Sequence, residues 1–267
     1  MFTSYSRLYV LNYSKREVID LKFCNPNLPA PNVDEMLVSE LVPENIIDEL
    51  ISFGVTPVKS GRCSRIPSEL SFHPDMLTFN YAPGKWLVEQ NNSYLPINMN
   101  ILLTYSKYHL GSKYPADCIY NSFSIGTKIF CGFVNIGVYE NIDELKGFEL
   151  ISFKQGYAKC SVIPLNERSF ITSDKSIEKK LSELQYDCLY VSSECVELNG
   201  FTNGFIGGCA GKVSENLLVF TGSIEKHNDY KNIRDFCKNH GIELYSLSND
   251  PLYDYGGLLP ITEKGTF

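Results

Sequence analysis

Two cysteines occupy sequence contexts that favour nucleophilic chemistry. Cys160 directly follows Lys159, and a nearby cation lowers the pKa of a thiol and raises its thiolate fraction. Successive side chains of a strand point to opposite faces, so these two groups would meet only where the strand is kinked. Cys209 follows Gly207 and Gly208, whose missing side chains allow a ligand or another backbone segment to approach. Cys160 is therefore the first candidate nucleophile.

His73 is the candidate general acid or base. It precedes Pro74, which biases the residue before it toward an extended conformation, and an imidazole titrates near neutral pH. The other three histidines are predicted to lie near helix ends. The nine cysteines are spread singly with no C-x-x-C pair, a pattern that predicts reduced thiols rather than a disulfide framework or structural zinc. No metal site and no cofactor is predicted.

Composition excludes several classes of function. The 267 residues carry 24 Lys and Arg against 31 Asp and Glu, and a net charge of −7 disfavours binding to nucleic acid. Uncharged apolar runs such as 129–134 and 217–220 are far shorter than the roughly 20 residues of a membrane helix. Residues 1–8 lack the apolar stretch of a secretory signal, so a cytoplasmic location and a small-molecule partner are expected, with the oligomeric state left open.

These residues must be positioned by a repeated unit of strand, strand, helix and strand. The clearest copy spans 207–248, with strands at 209–213 and 217–220, a helix at 230–240 ended by Gly241, and a strand at 242–247. An earlier copy has strands at 158–163 and 169–172, a helix after Ser173 or Asp174, and a strand at 188–191.

Three further copies are less regular. The third unit is predicted to have strands at 118–124, 128–131 and 148–153 and a helix at 142–146. The second has strands at 76–80 and 86–89 and a helix at 99–109, and the first has strands at 7–12, 18–23 and 55–59 and a helix at 43–53.

Together the copies predict one α/β domain, 1–267, with approximate units 1–70, 71–113, 114–154, 155–199 and 200–267. A single unit cannot bury its own apolar face, so the five units should pack against one another and close as a five-bladed β/α propeller around a central channel. The alternative is a layered α/β domain with similar local order.

The ordered motifs of these units resemble the pentein fold of guanidino-group-modifying enzymes, in an uncharacterised branch related to arginine and agmatine deiminases, dimethylarginine hydrolases and amidinotransferases. The resemblance covers nearly the whole chain. It is carried by H-P-D at 73–75, Y-P-A-D-C-I-Y-N at 114–121, Q-G-Y-A-K-C-S at 155–161, N-G-F-I-G-G at 203–208 and D-Y-G-G-L-L-P at 254–260.

The resemblance implies that carboxylates clamp a planar cation while a Cys and a His perform the reaction. Asp75, Asp117 and Asp254 are the natural clamp in this chain, whereas Asp174 is more simply a helix cap. The same motifs add four further predicted ligand-binding residues, which are Asn121, Tyr157, Lys159 and Asn203.

The chain departs from the active enzymes at both reacting positions. Where the resemblance implies a Cys after the glycines of the last unit, Gly256 and Gly257 are followed by Leu258, Leu259 and Pro260. At the position implied for the His the chain has Tyr157. Loss of either member of such a pair costs several orders of magnitude in rate.

Two hypotheses follow. In the first, the chain is a pseudoenzyme that binds a small cationic guanidino or amino compound in an acidic channel. In the second, it is a hydrolase or amidinotransferase of guanidino or amidino C–N bonds with a relocated nucleophile, Cys160, assisted by His73, Tyr157 or Lys159. The position of the Cys160 sulfur, in the channel beside an imidazole or ammonium or in an apolar interior, discriminates between them.

Overall fold

The structure is a computed structural model that describes residues 8–10, 19–96 and 101–265, which form a mixed α/β fold. The helices are α1 (Glu44–Ser52), α2 (Pro74–Leu77), α3 (Ile136–Tyr139), α4 (Lys175–Glu183) and α5 (Tyr230–Asn239). The strands are β1 (Leu8–Val10), β2 (Ile19–Phe23), β3 (Val33–Ser39), β4 (Thr56–Ser60), β5 (Phe79–Ala82), β6 (Lys85–Glu89), β7 (Leu102–Ser106), β8 (Phe123–Ile125), β9 (Lys128–Gly132), β10 (Glu149–Phe153), β11 (Val162–Pro164), β12 (Ser169–Thr172), β13 (Asp187–Tyr190), β14 (Val196–Glu197), β15 (Ala210–Ser214), β16 (Leu217–Phe220), β17 (Glu243–Ser246), β18 (Leu252–Tyr253) and β19 (Leu259–Lys264).

Four small sheets share one pattern, in which an antiparallel hairpin is extended by a parallel third strand. They are β5–β6–β7, β8–β9–β10, β11–β12–β13 and β15–β16–β17. A parallel strand requires a crossover connection, and α3, α4 and α5 lie in three of these crossovers. β14 and β18 form a separate two-stranded parallel sheet. The predicted strand–strand–helix–strand order is confirmed most fully in the fourth and fifth units.

The first sheet repeats this pattern with a strand from the other end of the chain. Its order is β1–β2–β19–β3–β4, with β19 antiparallel to β3 and β3 parallel to β4 across α1. The sequence analysis missed β3, because Asp34 and Glu35 break the apolar alternation at its start. The predicted strands at 7–12 and 18–23 correspond to β1 and β2, although residues 7, 11–12 and 18 lie outside the described residues.

Two helix predictions are wrong. The segment predicted as a helix at 99–109 contains β7, which pairs in parallel with β6, while residues 99–100 lie outside the described part. β6 is buried along most of its length, so its free edge requires a strand partner and this pairing overrides local propensity. The helix predicted at 142–146 is only a 3-10 turn, Asp143–Leu145, and α3 precedes it.

The last unit follows its sequence pattern closely. Helix α5 buries Ile233 and Cys237, and Gly241 at φ +71° follows its end. Strand β17 then pairs in parallel with β16. Within residues 8–10, 19–96 and 101–265, no helix combines the length and apolar character required to cross a membrane.

Candidate functional site

The segment bearing Lys159 and Cys160 is a turn and not the strand predicted at 158–163. Strand β11 begins only at Val162, so alternation along a strand does not separate the two side chains. The buried Asn121 fixes this turn, because its Oδ1 accepts hydrogen bonds from the backbone N–H of Lys159 at 2.8 Å and of Cys160 at 3.2 Å. A single amide therefore determines where both candidate groups lie.

The Cys160 thiol is held between an amide and a carboxylate. Its Sγ accepts from Asn121 Nδ2 at 2.8 Å and donates to Asp75 Oδ2 at 3.1 Å. Asn121 Nδ2 also donates to the Asp75 carbonyl oxygen at 3.0 Å. Burial, together with the negative charges of Asp75 and Asp254, raises the pKa of Cys160 well above its usual value. The group is therefore a protonated thiol that serves as a hydrogen-bond donor.

The H-P-D motif brings His73 and Asp75 into the same cluster. His73 is extended, at φ −72° and ψ 112°, as its position before Pro74 predicts, and Pro74 begins α2. The Asp75 backbone N–H donates to the carbonyl oxygen of Gly256 at 3.2 Å. Burial and the neighbouring Asp254 raise the pKa of Asp75 to about 6, and Lys159, His73 and the Cys160 thiol oppose that rise. Its Oδ1 has no hydrogen-bond partner among the described residues.

Asp254 is fixed by backbone donors. Its Oδ1 accepts from the N–H of Gly256 at 2.9 Å, and its Oδ2 accepts from the N–H of Phe205 at 2.9 Å. The Nδ1 atom of His73 lies 3.6 Å from Oδ1. A Cβ added to Gly208 would lie 1.9 Å from Asp254 Oδ1, so only glycine leaves room for this carboxylate. The space beside Gly207 and Gly208 is thus occupied by side chains and backbone of the chain itself.

Lys159 supplies the buried cation of the cluster. Its side chain is buried, and its Nζ donates to the carbonyl oxygen of Gly207 at 3.4 Å. Two voids of about 10 Å³ each lie beside it, one also lined by Asp75 and the other by Lys212. Each has about the volume that one water molecule requires.

A pocket of about 370 Å³, which we call the Asp254 pocket, opens beside this cluster. Its lining contains five residues that the sequence predicts for the site, which are His73, Tyr157, Cys160, Asn203 and Asp254. Most of its remaining wall is apolar, and the sequence analysis missed those residues because they come from four separate segments. They are Leu70, Met76, Leu198, Phe201 and Phe205.

The other predicted site residues, which are Asp75, Asp117, Asn121 and Lys159, are not among the described residues that line the pocket. Asp75 and Asn121 reach it through their hydrogen bonds to Cys160. Asp117 accepts a hydrogen bond on its Oδ2 from the Tyr157 hydroxyl at 2.6 Å, and its Oδ1 has no hydrogen-bond partner in the part of the chain that the structure describes. Burial and this contact raise the pKa of Tyr157. Direct ligand contact by Asp75, Asp117, Asn121 and Lys159 stays a prediction.

Cys209 and Asp174 make contacts that are typical of structural residues. Cys209 is fully buried in an apolar cluster and donates to the Ile206 carbonyl oxygen at 3.2 Å, and burial raises its pKa. Asp174 caps α4 by accepting from the N–H groups of Ser176 and Ile177. In the described part of the chain, no three His, Cys, Asp or Glu side chains are grouped as metal ligands would be.

Comparison with known proteins places the chain in a family and in a fold. A family model described as a family of unknown function (DUF6873) matches residues 37–259. The chain belongs to this family. No curated protein matches it.

The fold of this chain is similar to that of solved enzyme structures. The amidinotransferase SxtG from Microseira wollei has a TM-score of 0.55 at 9% identity, with 91% of this chain and 98% of that chain covered. Inosamine-phosphate amidinotransferase StrB1 from Streptomyces griseus has a TM-score of 0.51 at 10% identity, covering 91% and 98%. Agmatine deiminase from C. jejuni has a TM-score of 0.52 at 10% identity, covering 96% and 100%. The predicted pentein resemblance is therefore confirmed at the level of the fold.

Proposed function

We propose that the repeated sheets close as five blades around an axis. Two contacts between distant parts of the chain support closure. Strand β19 is the antiparallel partner of β3 in the first sheet, so the last strand completes the first unit. The Asp75 N–H then donates to Gly256 at the start of that closing segment. The acidic cluster would lie where these units meet.

We propose that the Asp254 pocket binds a small cationic guanidino or amino compound. The observation that carries this proposal is an imbalance of buried charge. Asp75 and Asp254 are both buried, and Lys159 is the buried ammonium that lowers the pKa of Asp75. Asp254 also lines the pocket. A cation placed there would offset the excess negative charge, and the apolar wall would accommodate its carbon chain.

The contacts of Cys160 favour a protein that binds its ligand without performing the reaction of the structurally similar enzymes. A nucleophilic thiol must reach its thiolate form, whereas burial and two carboxylates raise the pKa of Cys160. The segment after Gly256 and Gly257 offers Leu258, Leu259 and Pro260 in place of a thiol. The competing enzyme hypothesis depends on Cys160 and His73 lining one pocket.

Isothermal titration calorimetry with agmatine, arginine and putrescine, and with an uncharged diol as the reference ligand, tests the binding proposal. We expect one of the cations to bind and Asp254→Asn to weaken that binding by about tenfold or more, since a charge-assisted contact is lost. The double variant Asp75→Asn with Asp117→Asn should also bind more weakly. Asp235→Asn, at an exposed position on α5, is the matched control and should bind as the parent does. Equal binding by the parent and Asp254→Asn would overturn the proposal.

The pH dependence gives an independent check. A bound cation favours the carboxylate form of Asp75, whose pKa is about 6 in the free protein, so binding should release protons and tighten from pH 5 to pH 7.

Labelling with 2-chloroacetamidine separates the enzyme hypothesis from binding alone. Slow, scattered labelling of the cysteines supports binding alone. Fast modification confined to Cys160 and blocked by the cation would show an activated thiol and favour the enzyme.

A further inference from the structure

A second cavity, of about 400 Å³, shares none of its described lining residues with the Asp254 pocket. We call it the Lys212 cavity. Hairpin turns from four sheets meet in its wall, contributing Pro83, Gly126, Asn166 and Glu215. The segment 25–30 supplies another side. None of the described residues that line it is assigned to the proposed cation site.

Lys212 lies in the wall of this cavity and has few hydrogen-bond partners among the described residues. Its side chain is buried, at 4% exposure, and its Nζ donates to the Leu165 carbonyl oxygen at 2.8 Å. Among the described residues no carboxylate comes within 4.0 Å of Nζ. An ammonium carries three N–H donors, so a single carbonyl leaves it poorly compensated. Burial lowers the pKa of Lys212 to about 8, and Glu215 and Cys237 oppose this shift.

We propose that Lys212 is a nucleophilic amine that captures a small aldehyde in this cavity as an imine. The charges in the cavity wall favour an aldehyde that carries no negatively charged group. Glu167 and Glu215 are acidic, and Lys212 is the only Lys or Arg in the described lining. A carboxylate or phosphate on the ligand would therefore be repelled, whereas an uncharged aldehyde or one that carries an amine would be accepted.

The reaction requires no oxidant and no further reactant. The lone pair of the neutral Lys212 Nζ forms a bond to the carbonyl carbon while the carbonyl π electrons move to oxygen. One amine proton moves to that oxygen and gives a carbinolamine. The C–O bond then breaks, the second amine proton leaves with the hydroxyl group, and the products are an imine and one water molecule.

Only the neutral amine can take the first step, so the rate must follow the titration of Lys212. The titratable and charged groups that face it or share its cavity and void are Lys159, Glu167, Glu215, Cys237 and His240. His240 is already engaged, with Nε2 3.0 Å from Asp187 Oδ2 and Nδ1 3.4 Å from Ser169 Oγ. Glu215 is thus the exposed group whose removal most directly shifts the pKa of Lys212 downward.

Reductive alkylation of the intact chain with butanal and cyanoborohydride, followed by peptide mapping, tests the proposal. At pH 7 about a tenth of an amine with a pKa near 8 is neutral, against less than a thousandth of an ordinary lysine. We expect Lys212 to be modified at least about tenfold faster than the exposed Lys179 and Lys231. Its rate should level off above pH 8, whereas theirs should keep rising.

Variants distinguish a reactive amine from a buried hydrogen-bond donor. Lys212→Arg keeps a donor for Leu165 but should lose the fast modification. Glu215→Gln should move the rate profile to lower pH, and Glu243→Gln, exposed on β17, should leave it unchanged. Modification of Lys212 at or below the rate of the exposed lysines in the unaltered chain would overturn the proposal, even if Lys212→Arg does not fold.

Discussion

The Asp254 pocket and the Lys212 cavity each contain a buried ionisable group, and the fold supplies these groups differently. Asp254 accepts hydrogen bonds from two backbone N–H groups, whereas Lys212 donates to one carbonyl oxygen. Buried charge is tolerated where fixed dipoles already point at it, and otherwise the group tends toward its neutral form. The two proposals therefore rest on opposite situations: a carboxylate that already has fixed donors in one cavity and an amine with a single acceptor in the other.

Gly208→Ala breaks the first half of this comparison and has the largest expected effect. Its Cβ would lie 1.9 Å from Asp254 Oδ1, so the carboxylate must leave its backbone donors. We expect a loss of about 3 kcal/mol in the free energy of unfolding, measured by urea denaturation. Gly137→Ala is the control, because no atom of the described residues beyond its own helix turn and chain neighbours lies within 4 Å of its added Cβ. A Gly208→Ala protein as stable as the parent would show that Asp254 is not confined by this glycine.

Asp75→Asn sharpens the comparison by removing a buried carboxylate that has few hydrogen-bond donors. Its folded pKa of about 6 exceeds the unfolded value of about 3.9, so the folded state takes up a proton first as pH falls. The charged Asp75 therefore costs stability above pH 6, and that cost disappears by pH 4. We expect Asp75→Asn to be more stable by about 2 kcal/mol at pH 7.5 and unchanged at pH 4. A gain that is equal at both values in urea denaturation would contradict this account.

Lys212→Met tests the second half of the comparison. The folded pKa of about 8 lies below the unfolded value of about 10.4, so the parent should gain stability as pH rises from 8 to 10. The variant should lack this gain. We expect the two proteins to differ in this pH dependence by about 1–2 kcal/mol, with the loss of the Leu165 hydrogen bond as a constant offset. Parallel stability curves from pH 7 to pH 10 would place the amine in an ordinary environment.

Local sequence patterns predicted the fold best where each unit is complete in itself. Helix α5 and its flanking strands follow from apolar spacing and Gly241. The strand pairing of the first unit could not be predicted in this way, because the partner of β3 is β19 and no local signal joins the two ends of the chain. Strand β7 was likewise determined by the free edge of β6 and not by its own residues.

The candidate site shows the same division. Residue types identified His73, Cys160 and Asp254, which the fold brings to one pocket. Their spacing could not reveal that Asn121 holds the Cys160 turn or that Gly208 is essential to the position of Asp254, since the first contact joins two units and the second joins opposite ends of the last unit. Pattern identifies chemically capable residues, and tertiary contacts decide which of them meet.

Asp174 offers the smallest and most specific test of this distinction. Like Asp75 it stands near the start of a predicted element, but its Oδ1 accepts from the N–H of Ser176 at 2.8 Å and of Ile177 at 3.0 Å. Asp174→Ala should therefore cost about 1 kcal/mol of unfolding free energy through the lost cap, with no change in cation binding by calorimetry. Asp174→Ser should recover most of the stability, because a hydroxyl can also cap. Weaker cation binding by Asp174→Ala would instead place this acid in the ligand site.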